Sequence, residues 1–264
     1  MEPSGANIVI TGAASGIGAA LARAFAAAGA GHLWLADIER QGIEALATDL
    51  SSVTPADPVV CDVGDEASVQ SLVERASAEQ PIDLFCANAG IGTGMGLDAP
   101  DEVWNRIWSV NLMSHVYAAR ACMPHWRARG QGHLMITASA AGLLTNLGDA
   151  PYTATKHAAV GLAEWIQITH GDEGIGVSAL CPQGVRTPLV MGGLADDQLG
   201  AEVVLAMGLI EPEECAAAAL AGLRAGQFLI LPHTEVAGYM ATKGTDHGRW
   251  LGGMRKLQRR LTGA

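Results

Sequence analysis

Asn7-Ile8-Val9-Ile10-Thr11 runs straight into Gly12-Ala13-Ala14-Ser15-Gly16-Ile17-Gly18, and an alanine-rich stretch follows to residue 28. The first five residues read as a short buried strand and residues 17–28 as a helix. The glycines therefore sit in a strand-to-helix turn. There they let the backbone bend sharply and approach a pyrophosphate, while the helix N-terminus offers free N–H groups and a positive dipole end. The spacing G-x-x-x-G-x-G departs from the plain G-x-G-x-x-G form. In a chain with 33 glycines, such a turn alone is also readable as ordinary structure.

Outward from that turn the chain keeps alternating. Residues 33–36, 58–61 and 82–87 read as strands, with helices after Asp37 and over 67–78. A long helical segment covers 100–129, and strands follow at 132–138, 177–181 and 228–231. Helices are expected over 150–169 and 212–225. Such alternation predicts right-handed βαβ units on one sheet. The expectation is a single-domain α/β fold over 1–264, a Rossmann-type doubly wound sheet of about seven mostly parallel strands with helices on both faces. Pro58 in the third strand suits a sheet edge, where the order 3-2-1-4 puts it. Residues 188–210 break the alternation and read as a substrate lid. Residues 246–264 form a C-terminal extension.

Composition narrows the function classes. Hydrophobic residues make up 49% and charged ones 16%, which excludes a disordered chain. The net charge of −11 argues against nucleic acid as a partner. Five scattered cysteines (61, 86, 122, 181 and 215) form no CxxC pair and no zinc spacing, so no metal is expected and the thiols read as buried and reduced. With no basic leader and no long apolar run, the chain reads as cytoplasmic and not membrane-bound.

The ends of the strands carry the polar residues. Asp37 closes the second strand, 19 residues beyond Gly18. A carboxylate there binds a ribose diol and repels a 2′-phosphate, which favours NAD over NADP. Its plain alternative is a helix N-cap. Asp62-Val63 and Asn88-Ala89-Gly90 follow the third and fourth strands, at the edge where open parallel sheets bind ligands. Tyr152 and Lys156 lie at i and i+4 on one helix face. The chain has three Tyr and three Lys, so chance supplies such a pair only about 0.03 times. A free Tyr titrates near ~10 and is a poor base at neutral pH; a fixed ammonium favours its phenolate. Ser139, just past the fifth strand, can hold a substrate oxygen.

Taken together, these motifs resemble the classical short-chain dehydrogenase/reductase (SDR) family over nearly the whole chain. The resemblance implies a cofactor turn at 11–18, an adenine-pocket pair at Asp62-Val63 and an N-A-G turn at 88–90. It also implies a tetrad of Asn111, Ser139, Tyr152 and Lys156. In family terms Tyr152 is the general acid/base, and Lys156 lowers its pKa and binds the nicotinamide ribose. Ser139 orients the carbonyl or alcohol, and Asn111 holds a relay water. Pro182, Val185 and Thr187 would meet the carboxamide end. Gln183 replaces a usual glycine and either faces the substrate pocket or points to solvent. Ala138 replaces the first of two usual serines. His115, one turn after Asn111, is either catalytic or a packed helix histidine.

The expected pocket draws on residues 92–96, 143–147 and the lid, with Leu144, Thr145, Asn146 and Gln183 facing a neutral, hydrophobic alcohol or ketone. Arg186 leaves an anionic group open. The alternatives are an NADPH-dependent 3-oxoacyl-type ketoreductase, which Asp37 argues against, and a dinucleotide-sensing regulator, which the intact tetrad argues against. The two long helices offer Val116, Ala119, Met123 and Trp126, and Ala158, Leu162, Trp165 and Ile166, for a homotetramer. The tail stripe of Trp250, Met254, Leu257 and Leu261 would pack across a subunit boundary. Its basic face could instead meet a membrane surface.

Overall fold

Strand β1 (Asn7–Thr11) is buried at every position, and helix α1 (Gly16–Ala27) begins inside the glycine turn. The computed structural model describes residues 1–263; Ala264, the last residue of the expected extension, lies outside the described residues. The alternation continues through β2 (His32–Asp37), α2 (Arg40–Leu50), β3 (Ala56–Val60), α3 (Glu66–Ser77) and β4 (Leu84–Ala87). β3 lies slightly upstream of the stretch that its apolar residues suggested. It is the edge strand, and Pro58 pairs in register with Leu35 there.

Next come α4 (Asp101–Trp108), a π-helical turn (Ser109–Met113) and α5 (Ser114–Arg129). The single helix expected over 100–129 is therefore interrupted, and Asn111 sits in the interruption. β5 (Gly132–Thr137), α6 (Ala150–His170) and β6 (Ile175–Leu180) follow. The lid segment folds as two short helices, α7 (Pro188–Ala195) and α8 (Leu199–Met207). After α9 (Pro212–Arg224) and the two-residue β7 (Leu229–Ile230), the chain ends in α10 (Glu235–Thr245) and α11 (His247–Thr262). The seven strands are parallel, in the order β3-β2-β1-β4-β5-β6-β7.

Each face of the sheet has its own core. Leu72, Trp126 and Ile166 from α3, α5 and α6 fill one side. Phe25, Ile43 and Leu223 from α1, α2 and α9 fill the other. This corrects part of the expected subunit face. Ala119, Trp126 and Ile166 are buried in the chain's own core, and Trp126 Nε1 donates to the Ile82 carbonyl at 2.8 Å. Trp165 and Ile168 of α6 stay 59% and 83% exposed. The five cysteines are free and buried.

The tail also differs from expectation. Lys243 of α10 donates to the carbonyls of Leu143 and Leu144 (2.8 and 3.1 Å) and sits 4.9 Å from the Trp250 ring centroid. This pins α10 and α11 over the chain's own lid and cavity, and α11 keeps no residue fully buried there. α10 was invisible in the sequence because Gly238 and Gly244 weaken its helix propensity.

Candidate active site

The glycine turn is held by its neighbours. Gly12 and Gly16 adopt φ of +68° and +52°, which only glycine takes without strain. A Cβ on Gly18 would lie 2.0 Å from the Gly12 carbonyl oxygen, so α1 packs on the turn through a bare backbone. Asn88 donates from its backbone N to Thr11 Oγ1 and from Nδ2 to the Thr11 carbonyl, both at 3.0 Å. The β4 end thus braces the β1 turn.

A cleft of about 320 Å³ opens over these strand ends. Gly12, Ser15, Gly16, Ile17, Asp37, Asp62, Val63, Asn88, Ala89, Gly90, Pro182, Val185 and Thr187 line it, with Tyr152 and Lys156 at its inner end. Of the residues expected to hold a cofactor, Gly18 alone stays beneath the surface. Asp37 Oδ2 accepts from Ala14 N and Oδ1 from Glu39 N, both at 3.0 Å. The carboxylate therefore serves as the turn's brace while facing the cleft. Arg106, which the sequence did not single out, lines the cleft and pairs with Asp62 at 3.4 Å. Thr137 contributes a buried hydroxyl without a protein partner. An N–H-rich turn, a carboxylate at the end of β2 and an unpartnered hydroxyl fit a nicotinamide dinucleotide.

The chemical residues converge where the cleft ends. Lys156 is buried, and its Nζ donates to the Thr137 carbonyl at 2.9 Å and lies 5.5 Å from the Tyr152 ring centroid. Ser139 Oγ accepts from Ala141 N at 3.1 Å, and its hydroxyl draws the Tyr152 phenol down. Burial nevertheless dominates. It pushes the phenol up to about 12 and the Lys156 ammonium down to about 8. The charge of Lys156 does not by itself bring the Tyr152 pKa down toward neutral pH; a cationic ring in the cleft would add the missing pull.

Asn111 is fully buried, and its side chain clamps Ile91. Its Oδ1 accepts from Ile91 N and its Nδ2 donates to the Ile91 carbonyl, both at 2.9 Å. Its amide is thus engaged in holding the loop after β4. His115 is fully buried in the core, its pKa drawn down to about 3 by burial and by Lys156, so it stays neutral. Among the described residues no three His, Cys, Asp or Glu side chains gather as a metal would need.

A second, larger cavity of about 610 Å³ meets the cleft at Ser139, Tyr152, Gln183, Leu189 and Val190. Leu144, Thr145, Asn146 and Leu147 form one wall. The lid adds Val203, Val204 and Met207, and α11 adds Trp250, Met254 and Leu257. Gln183 faces inward. Its Nε2 reaches Met207 Sδ at 2.9 Å, and its Oε1 is buried without a partner. Asp149, which sequence reading missed, caps α6 through Tyr152 N (2.9 Å) and binds Thr93 N and Gly94 N (2.7 and 2.8 Å). It locks the 92–95 loop onto the helix that carries Tyr152.

The cavity mouth is not uniformly neutral, because Arg249 and Arg260 of α11 line it. Arg186, the one arginine that the sequence put near the substrate, is bound to Glu211 at 2.8 Å and lines neither chamber.

A family model described as short chain dehydrogenase matches residues 6–198. The chain is 34% identical to 3beta-hydroxysteroid dehydrogenase 2 of Eggerthella lenta over 84% of this chain and 90% of that protein. Among solved structures, an SDR from Burkholderia phymatum in complex with NAD superposes with a TM-score of 0.86 at 27% identity, covering 93% of this chain and 95% of that one. A short-chain dehydrogenase from Sphingobium yanoikuyae in complex with NADPH gives 0.79 at 26% identity, covering 91% and 93%.

Proposed function

The chain belongs to the short-chain dehydrogenase family, and on that premise we propose that it is an NAD-dependent oxidoreductase interconverting a hydrophobic secondary alcohol and its ketone. The observation that carries this reading is the meeting of the two chambers at Tyr152 and Ser139, with Lys156 directly behind. A substrate oxygen at that junction is within reach of both hydroxyls, and the apolar cavity takes the carbon skeleton.

When bound, the nicotinamide supplies or accepts the hydride. The protein's own task is to hold the oxygen and move one proton. Ser139 donates a hydrogen bond to the substrate oxygen, and Tyr152 takes the proton in oxidation and returns it in reduction. Lys156, anchored on the Thr137 carbonyl, keeps a positive charge beside the phenol. Asn111 and Asp149 act as positioning residues for the two loops around the junction. Asp37 supports NAD, since its carboxylate at the cleft wall would repel a 2′-phosphate. The hydroxysteroid relative supports a bulky apolar alcohol. Exposed Trp165 and Ile168 support a homotetramer. Buried reduced thiols suit a cytoplasmic setting.

A panel of cyclic and aromatic secondary alcohols, offered with NAD and with NADP, tests the reading through reduced cofactor formed. NAD turnover with at least one of them is expected. A preference for NADP would favour the ketoreductase alternative, and binding of NADH without any turnover would favour a sensor.

A further inference from the structure

The substrate cavity has an apolar body and a cationic rim. Helix α11 presents Trp250, Met254 and Leu257 to the cavity, and Arg249 and Arg260 line it at either end of that stripe. The two arginines lie eleven positions apart, which is about 16 Å of helix. Neither guanidinium is paired with a carboxylate among the described residues. The one acidic residue on the cavity wall, Asp149, is already engaged by Thr93, Gly94 and the α6 N-terminus.

The placement runs against the rest of the molecule. The chain carries a net charge of −11, yet no acidic residue follows Asp246, while Arg249, Arg255, Lys256, Arg259 and Arg260 crowd the tail. An acidic surface repels an anionic ligand at a distance, so an anion would need local positive charge at its point of entry. Arginine's fork matches a carboxylate in two parallel hydrogen bonds.

We infer that the substrate is an amphipathic hydroxy or keto acid. Its apolar skeleton fills the cavity, its secondary alcohol or ketone lies at Tyr152, and its remote carboxylate is read by Arg249 or Arg260. The inference rests on the reading of this cavity as the substrate site of an alcohol dehydrogenase.

Two readouts test it on the NAD-saturated enzyme, below micelle-forming concentrations. The first is binding, followed by calorimetry: dodecanoate against methyl dodecanoate. The second is turnover: kcat/KM for ricinoleate, a secondary alcohol with a carboxylate, against its methyl ester. The expected result is a preference of about tenfold or more for each acid over its ester. That ratio should fall to about one in R249Q/R260Q and persist in R255Q/R259Q, which alters the same helix away from the cavity. Acid and ester bound alike by the wild type, or a preference lost equally in both double variants, would overturn it. If neither ricinoleate, its ester nor any alcohol of the cyclic and aromatic panel is turned over while dodecanoate discrimination persists and depends on Arg249 and Arg260, the anion site stands and the dehydrogenase reading fails. If both are turned over at equal kcat/KM without discrimination in binding, the dehydrogenase reading stands and the anion site fails.

Discussion

Gly18 shows how narrow the tolerance is at single positions. A methyl group there would sit 2.0 Å from the Gly12 carbonyl oxygen, a backbone atom that cannot swing away. Gly18→Ala should cost about 1–3 kcal/mol by overpacking and open the turn. A thermal melt with and without NADH should show both lower stability and lost cofactor stabilisation. Asp37→Ala should lower kcat/KM for NAD about tenfold or more while that for NADP rises; a variant that keeps the full NAD preference would contradict the assignment. The pH dependence follows from burial. Burial pushes the phenol up to about 12 before any cofactor binds, so the deprotonated form that oxidation needs grows as pH rises. Oxidation kcat/KM should therefore climb by up to about tenfold per pH unit until pH reaches the lower pKa that the cationic ring would give the phenol, while reduction should not climb. An oxidation profile that falls as pH rises from mildly acidic to neutral would count against Tyr152 as the base. Asp37, Tyr152, Lys156 and Ser139 were legible because each stands at a strand end or one helical turn from a partner. Asp149 and Arg106 were not, because Thr93, Gly94 and Asp62 are distant in sequence, and only folding brings Arg249 and Arg260 to the cavity.

Among the elements, the interruption between α4 and α5 matters most to the site. The π-helical turn sets Asn111 against the Ile91 backbone, where both ends of its amide are engaged. Asn111→Ala leaves the part-buried Ile91 N–H and carbonyl without partners, at a cost of about 1 kcal/mol or more. A lowered denaturant midpoint should report this, and an unchanged midpoint would remove the clamp from the account. Periodicity alone could not reveal the turn, since one extra residue barely disturbs an apolar pattern spanning 100–129. Helix α10 was equally hidden. Its place depends on Lys243 bridging the Leu143 and Leu144 carbonyls to the Trp250 ring. Lys243→Met should free the tail and raise KM for bulky alcohols several-fold, with the NAD Kd unchanged, because the cofactor cleft does not touch α10.

At the scale of the whole molecule, the parallel sheet brings every polar strand end to one edge, and the lid and tail roof the cavity beside it. The order of the first four strands, the edge position of Pro58 and the helices on both faces follow from the βαβ alternation of a doubly wound sheet. The roof does not, since the tail's apolar stripe has a partner only once the lid helices are in place. Exposed Trp165 and Ile168 on α6 lead us to expect a tetramer by light scattering, a multiple of the 27.2 kDa chain. A monomer mass would contradict that assembly without touching the chemistry. The central claim is that Tyr152 moves the proton at the junction of the two chambers. Its most direct test is single-turnover NADH formation by wild type and Tyr152→Phe, with NADH affinity measured on both. The account predicts a loss of about 10²–10⁴-fold in the rate with NADH still bound. A Tyr152→Phe enzyme that forms NADH at a near-normal rate would contradict it.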